Sequence, residues 1–260
     1  MKLRLLLAAF LSLAVMNANY AQVKKPPVKK PVTAVKKPPV KKVIIKPVVK
    51  KPVSKPPVVS TEKLVEISTS YGVMVAKLYD STPLHRDNFL KLVAQNFYDS
   101  LLFHRVIEQF MIQGGDPTSK YATDSMQVGS GSAPGERIPA EFKPQFFHKK
   151  GALAAARDGN PERASSNCQF YVVHGKKYTE AELDGVYKQR VMAANPKFKY
   201  TAAQKEIYAR LGGTPFLDQN YTVFGEVISG LDVIDKIAKV VKGRGDRPLE
   251  NVRMKIRLLN

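Results

Sequence analysis

From residue 64 onward the chain is organised as short runs in which apolar residues alternate with polar ones, broken at a few places by apolar residues at helical spacing. LVEIST (64–69) and VMVAKLY (73–79) flank a turn at Gly72 and read as a β-hairpin. LLFHRVI, FMIQGG, GALAAA, CQFYVV and YTVFGEVI are further strand-like runs separated by Gly- and Pro-rich turns, and VRMKIRLL (252–259) closes the series. Residues 83–96 read as a helix, with Pro83 in its first turn and Phe89, Leu90 and Val93 as an apolar stripe. GLDVIDKIAKV (230–240) repeats that spacing. Many short strands with two helices predict a mainly β domain, either a closed barrel or a sandwich.

Residues 175–213 depart from the pattern. Thr179 with Glu182 and Thr201 with Gln204 are Thr-x-x-Glu/Gln capping boxes, Asn195-Pro196 separates the two segments, and Gly212-Gly213 stops the second. A helical hairpin inserted in a loop of the β domain is expected, with Lys188, Arg190, Lys197 and Lys199 on a solvated face.

The first 60 residues obey other rules. Lys2 and Arg4 precede an apolar run from Leu5 to Met16, and a small residue, Ala21, follows at a cleavage point before Gln22. About a dozen apolar residues fall short of the roughly 20 that span a bilayer, so 1–21 reads as a signal peptide and not an anchor. Residues 22–60 repeat Lys-Lys-Pro-Pro-Val-type units. Paired lysines repel and proline removes backbone donors, so this stretch is expected to be a disordered linker sampling polyproline II. Export to the periplasm or cell exterior follows from this reading.

Charge changes the picture less than its total suggests. The net +20 includes 14 of the 42 Lys and Arg in residues 1–60, where no acid stands, so residues 61–260 carry only +6. A specific nucleic-acid surface on the folded part is therefore not expected. An anionic envelope polymer is a partner that the 22–60 tail allows. The single cysteine, Cys168, permits no intramolecular disulfide and sits in an apolar run, as an inert buried thiol would. His85, His104, His148 and His174 show no metal-ligand spacing, and neither a serine nucleophile elbow nor a phosphate loop is present.

The informative run is FHRVIEQFMIQGGD, residues 103–116. Its order of Phe-His-Arg, Phe-Met and Gln-Gly-Gly-Asp resembles the signature of the cyclophilin family. GALAAARDGNPERASSNCQFY (151–171), FLDQNYTVFGEV (216–227) and GLDVIDKI (230–237) resemble further family segments in the right order. The resemblance runs from about Leu64 to the C-terminus, with the helical insertion outside it. It implies a closed eight-stranded antiparallel barrel capped by two helices, peptidyl-prolyl cis/trans isomerase activity without a cofactor or metal, proline-containing polypeptide clients and a monomer. Residue by residue, Arg105 matches the catalytic arginine. Phe110, Met111, Tyr171 and Leu217 match the apolar proline pocket. Gln113 and the Ala156-Arg157 backbone match groups that hold the substrate chain, and Gln169 matches a polar wall. Tyr221 stands where many members have histidine. Phe216 stands where animal members have tryptophan, which implies weak cyclosporin binding. Tyr171 replaces the usual phenylalanine, and its added hydroxyl needs a partner. Two other readings stay open on the sequence: a proline-binding module with little turnover, and an envelope-attachment protein whose functional part is the tail.

Overall fold

The structure, a computed structural model, describes residues 62–123 and 126–259. The expected signal peptide and linker lie outside the described residues. Among the described residues there are eight strands: β1 (Leu64–Thr69), β2 (Gly72–Leu78), β3 (Phe103–Ile107), β4 (Met111–Gly114), β5 (Ala152–Ala155), β6 (Phe170–Val173), β7 (Val223–Ser229) and β8 (Met254–Leu259). They pair antiparallel in one sheet of order β3-β4-β6-β5-β7-β2-β1-β8.

Period-two alternation decides which side chains meet. Ile112, Leu153, Phe170, Val172 and Phe224 point to one face of the sheet and join the main core. There they meet Phe89 and Val93 of helix α1 (Pro83–Ala94). Their neighbours Met111, Ala154, Tyr171, Val173 and Val223 form a second apolar cluster. All four residues of β5 and all four of β6 are buried, because both faces of this part of the sheet are covered. Each large side chain so enclosed contributes about 1.5–3 kcal/mol relative to exposure.

The sheet corrects the expectation of a closed barrel. It is curled and only partly closed, since β3 and β8 do not form a ladder. They meet around one isolated bridge, Leu102 to Arg253, with backbone bonds from Phe103 N–H to Val252 and from Met254 N–H to Leu101. Ahead of β8 the chain loops back on itself, Gly243 N–H bonding the Arg247 carbonyl. Pro248, without an N–H, cannot extend a ladder along β3.

Helix α1 receives its cap from elsewhere in the chain. Thr82 makes no side-chain capping bond. Instead the Glu141 carboxylate accepts from the Leu84 and His85 N–H groups at 3.2 and 3.0 Å and from His85 Nδ1 at 2.7 Å. His85 Nε2 lies 3.0 Å from Ser165 Oγ. Ser165 and His85 of this Ser-His-Glu alignment are buried, at 1% and 2% exposed, so it clamps the helix start and leaves the Ser165 hydroxyl out of a substrate's reach.

Residues 175–213 contain α2 (Glu180–Val186), a π turn (Tyr187–Val191), α3 (Met192–Ala194) and α4 (Ala202–Arg210). Both capping boxes are formed, Thr179 with Glu182 and Thr201 with Gln204. Leu183 and Tyr208 pack with Phe147 and Tyr178 in a third apolar cluster. Helix α5 (Leu231–Ala238) buries Val233, Ile234 and Ile237 in the main core.

Candidate functional site

The site is one cross-strand row with walls added at its two ends. In register, Arg105 of β3 faces Gln113 of β4, Gln113 faces Tyr171 of β6, Tyr171 faces Ala154 of β5, and Ala154 faces Val223 of β7. Side chains opposite one another in register share a face, so this row aligns five residues drawn from positions 105 to 223. Met111 lies on the same side, two residues before Gln113.

The glycines after Gln113 permit the close packing beneath it. Gly115 has φ +94, and a Cβ there would collide with the Cys168 carbonyl oxygen. Asp116 then caps the next turn, accepting from Thr118 N–H at 2.8 Å and from Gly129 N–H.

A cluster of apolar side chains closes over the row. Phe110 enters from the β3–β4 turn, and its ring lies 5.5 Å from that of Phe216. Phe216 and Leu217 sit on a 3-10 turn, Pro215–Leu217. Tyr221 meets Tyr171 edge-on at 6.1 Å, and the Arg157 guanidinium lies 4.5 Å over the Tyr221 ring. Met111, Ala156, Tyr171 and Leu217, with Phe110, Phe216 and Tyr221, belong to one cluster.

Arg105 stands at the pocket's rim. Its guanidinium carbon is 5.9 Å from the centre of the Phe110 ring, and Nε is 3.7 Å from Asp246 Oδ2. Both side chains of that pair are over 40% exposed, so it holds Arg105 by no more than about 1 kcal/mol. The guanidinium is available to a ligand.

Gln113 Nε2 donates to Gln169 Oε1 at 3.1 Å. The Gln169 amide nitrogen in turn donates to the Gly129 and Gly131 carbonyls at 3.1 and 2.8 Å. Gln169 is buried and fully engaged, so it braces Gln113 and the 129–131 loop. A groove of ≈ 450 Å³ runs from Gln113 past Ala156 and Arg157 to that loop. All eleven site residues expected from the sequence are thus linked in one surface.

The supports beneath the pocket were absent from the sequence reading. Tyr171 OH lies 3.0 Å from His148 Nε2, which supplies the partner its hydroxyl needs. His148 Nδ1 bonds Asp218 Oδ1 at 2.7 Å, and the His148 N–H donates to the same oxygen at 2.8 Å. Tyr200 and Tyr208 donate to Asp218 Oδ2 at 2.5 and 2.6 Å. With Nδ1–H donating to Asp218, Nε2 is the atom that faces the Tyr171 O–H. Burial, and then the charge of Asp218, push the Tyr200 and Tyr208 phenols far above their usual range, so both stay donors.

The remaining single cysteine and His104 stand apart from this chemistry. Burial raises the Cys168 thiol, as fits an inert core position. His104, next to Arg105, is lowered to about 4 by burial, and its Nδ1 has no hydrogen-bond partner among the described residues.

Residues 64–257 match the family pattern described as cyclophilin type peptidyl-prolyl cis-trans isomerase/CLD. A relative in Staphylococcus saprophyticus, named as a peptidyl-prolyl cis-trans isomerase, is 35% identical over 189 residues, covering 71% of this chain and 85% of the relative. A Streptococcus pyogenes protein named as a bifunctional phosphatase/peptidyl-prolyl cis-trans isomerase is 37% identical over 194 residues. The match covers 72% of this chain and only 37% of that protein, so its phosphatase name carries nothing over. In fold, a Cryptosporidium parvum cyclophilin-type isomerase structure superposes with a TM-score of 0.56 at 22% identity, covering 76% of this chain and 98% of its own. The same Cryptosporidium protein was also solved in the presence of the dipeptide Ala-Pro. With its family pattern spanning most of the described residues and its curled sheet matching in shape, the chain belongs to the cyclophilin-type peptidyl-prolyl cis-trans isomerase family.

Proposed function

We propose that this chain accelerates cis/trans isomerisation of X-Pro bonds in polypeptide clients, with Arg105 as the catalytic group. The observation that carries the proposal is the placement of an exposed guanidinium at the rim of an aromatic pocket on a rigid sheet row. An X-Pro amide crosses a barrier of about 18–20 kcal/mol because its conjugation is broken at the twisted geometry. Phe110, Met111, Tyr171, Phe216 and Leu217 would hold the prolyl ring, and Tyr221 would line its edge. Gln113 and the Ala156-Arg157 backbone would hold the flanking chain in the adjoining groove. As the bond twists, the prolyl nitrogen regains a lone pair that the Arg105 guanidinium attracts, and the guanidinium donates to the prolyl carbonyl oxygen. These contacts are stronger in the twisted state than in either planar one, which is the condition for acceleration. A 10⁵-fold gain asks about 7 kcal/mol of them. The Ala-Pro dipeptide used with the Cryptosporidium relative is the matching ligand class.

Arg105→Ala tests the proposal in a protease-coupled proline-peptide assay. Activity should fall by about 10²–10³-fold, the cost of losing one transition-state donor. The thermal midpoint should stay within about 2 °C, because the residue contributes at most a surface ion pair. A folded variant with near wild-type turnover refutes the assignment.

Export and tethering complete the proposal. Their support is the basic, then apolar, stretch from Lys2 to Met16 and the twelve lysines without an acid in 22–60. Deleting 22–60 should leave turnover of a short proline peptide unchanged while altering partition between soluble and envelope fractions, more at low salt than at high salt. Identical, salt-independent partition of both forms removes the tethering role.

A further inference from the structure

The wall of the proline pocket has a second side, and the 175–213 insertion faces it. Phe216, Leu217 and Tyr221 contribute to a cleft of ≈ 770 Å³ whose opposite side is Gln189, Arg190 and Ala193. Those three residues also belong to the apolar cluster proposed to hold the prolyl ring, so the cleft adjoins it. Its far wall includes the π turn Tyr187–Val191, a rare backbone form that concentrates at functional sites. Val191 anchors that turn in the interior, while Gln189 and Arg190 stay exposed.

The insertion is fastened to the 215–219 segment at Pro215, Asp218 and Gln219. Tyr200 OH donates to Asp218 at 2.5 Å and lies 3.4 Å from the Pro215 carbonyl oxygen, and Tyr208 OH donates to Asp218 at 2.6 Å. Asn195 Nδ2 donates to Gln219 Oε1 at 3.0 Å. The Arg163 guanidinium donates to the Ala194 and Gln219 carbonyls, both at 3.3 Å. Such a cleft is preorganised, so a chain laid in it does not have to order the walls.

Its charge is one-sided. No carboxylate lines the cleft among the described residues. Arg163 is occupied with backbone carbonyls, whereas Arg190 has no ion-pair partner among the described residues. A charge-assisted bond to a carboxylate is what an accessible guanidinium beside an apolar floor would gain most from.

We infer that this cleft is a second substrate subsite, which takes the client segment leaving the proline pocket and selects clients with an acidic side chain, paired by Arg190. The inference rests on the isomerase reading and names its client class. It also gives the insertion a function, in place of the plain solvated face expected for its basic residues.

The test uses the full chain and eight-residue peptides with one X-Pro bond, each carrying Glu, Gln or Lys at successive positions on either side of the proline. At one position Glu should exceed Gln in kcat/KM by roughly five- to tenfold, the scale of a partly exposed charge-assisted bond. In Arg190→Gln that ratio should fall toward one, and in Arg190→Glu the preference should invert to Lys. The ratio compares peptides within one variant, so a general loss of activity cannot imitate the result. No Glu preference at any position, or one that both variants retain, overturns the inference while leaving the isomerase reading in place. Failure of the wild-type chain to turn over the Gln peptides overturns both.

Discussion

Removing the Asp218 carboxylate should be among the most destabilising single changes in the described domain. The group is 1% exposed and receives four hydrogen bonds, from the His148 N–H, His148 Nδ1, Tyr200 OH and Tyr208 OH, all between 2.5 and 2.8 Å. In Asp218→Ala these donors lose their acceptor together. Each unsatisfied buried group costs about 1–3 kcal/mol taken alone, but the four share one cavity and relax together. Four such losses, discounted for shared relaxation, come to about 3–5 kcal/mol. That is a large share of the roughly 5–15 kcal/mol by which a domain is stable. For a domain of this size it lowers the thermal midpoint by roughly 6–20 °C. Urea unfolding with linear extrapolation reads the loss directly. Asp218→Asn keeps the volume and one acceptor oxygen, so it should cost about half as much and remain folded for kinetics. Tyr208→Phe should cost about 1–2 kcal/mol in the wild-type background and much less beside Asp218→Ala, because its partner is already gone. Destabilisation below 1 kcal/mol in Asp218→Ala, or strict additivity with Tyr208→Phe, would refute the hub.

Two further expectations concern other residues of the domain. His104, lowered from 6.5 to about 4 by burial, stays neutral in the folded chain while the unfolded chain takes up a proton, so stability present above pH 6.5 is lost as pH falls toward 4. The loss is about 3 kcal/mol at most, and His174, also lowered by burial, acts in the same direction. His104→Phe should flatten the dependence of unfolding free energy on pH between 6.5 and 4, and an unchanged slope would assign it to other groups. Phe216→Trp should tighten cyclosporin binding in a calorimetric titration, since an indole adds apolar contact and an N–H donor to the pocket wall. Tight binding by the wild-type chain, or no gain in the variant, counts against Phe216 in that wall.

What could be read from the sequence was what acts over a few residues. The capping boxes at Thr179 and Thr201 are i to i+3 contacts, and both formed. The hairpin around Gly72 is equally local. Run 103–116 brings Arg105, Phe110, Met111 and Gln113 close in sequence, and a β3–β4 pair keeps them close in space. The closed barrel failed where the outcome depends on distant parts. Whether β3 and β8 ladder is decided by the path of 243–251, and no strand periodicity reports on a Pro248 loop turning aside. The hub at Asp218 was equally out of reach, since its partners lie 70, 18 and 10 positions away. Yet one residue did point to it. A tyrosine at 171 in place of the usual phenylalanine put a hydroxyl in an apolar floor, and a buried hydroxyl requires a partner. Following that requirement leads from Tyr171 to His148, from His148 to Asp218, and from Asp218 to two tyrosines at the edges of the insertion helix α4. The insertion therefore reaches the pocket floor through a chain of hydrogen bonds that is buried along its Tyr208 branch. A residue that breaks the family's pattern was, in this chain, the local sign of a non-local structure.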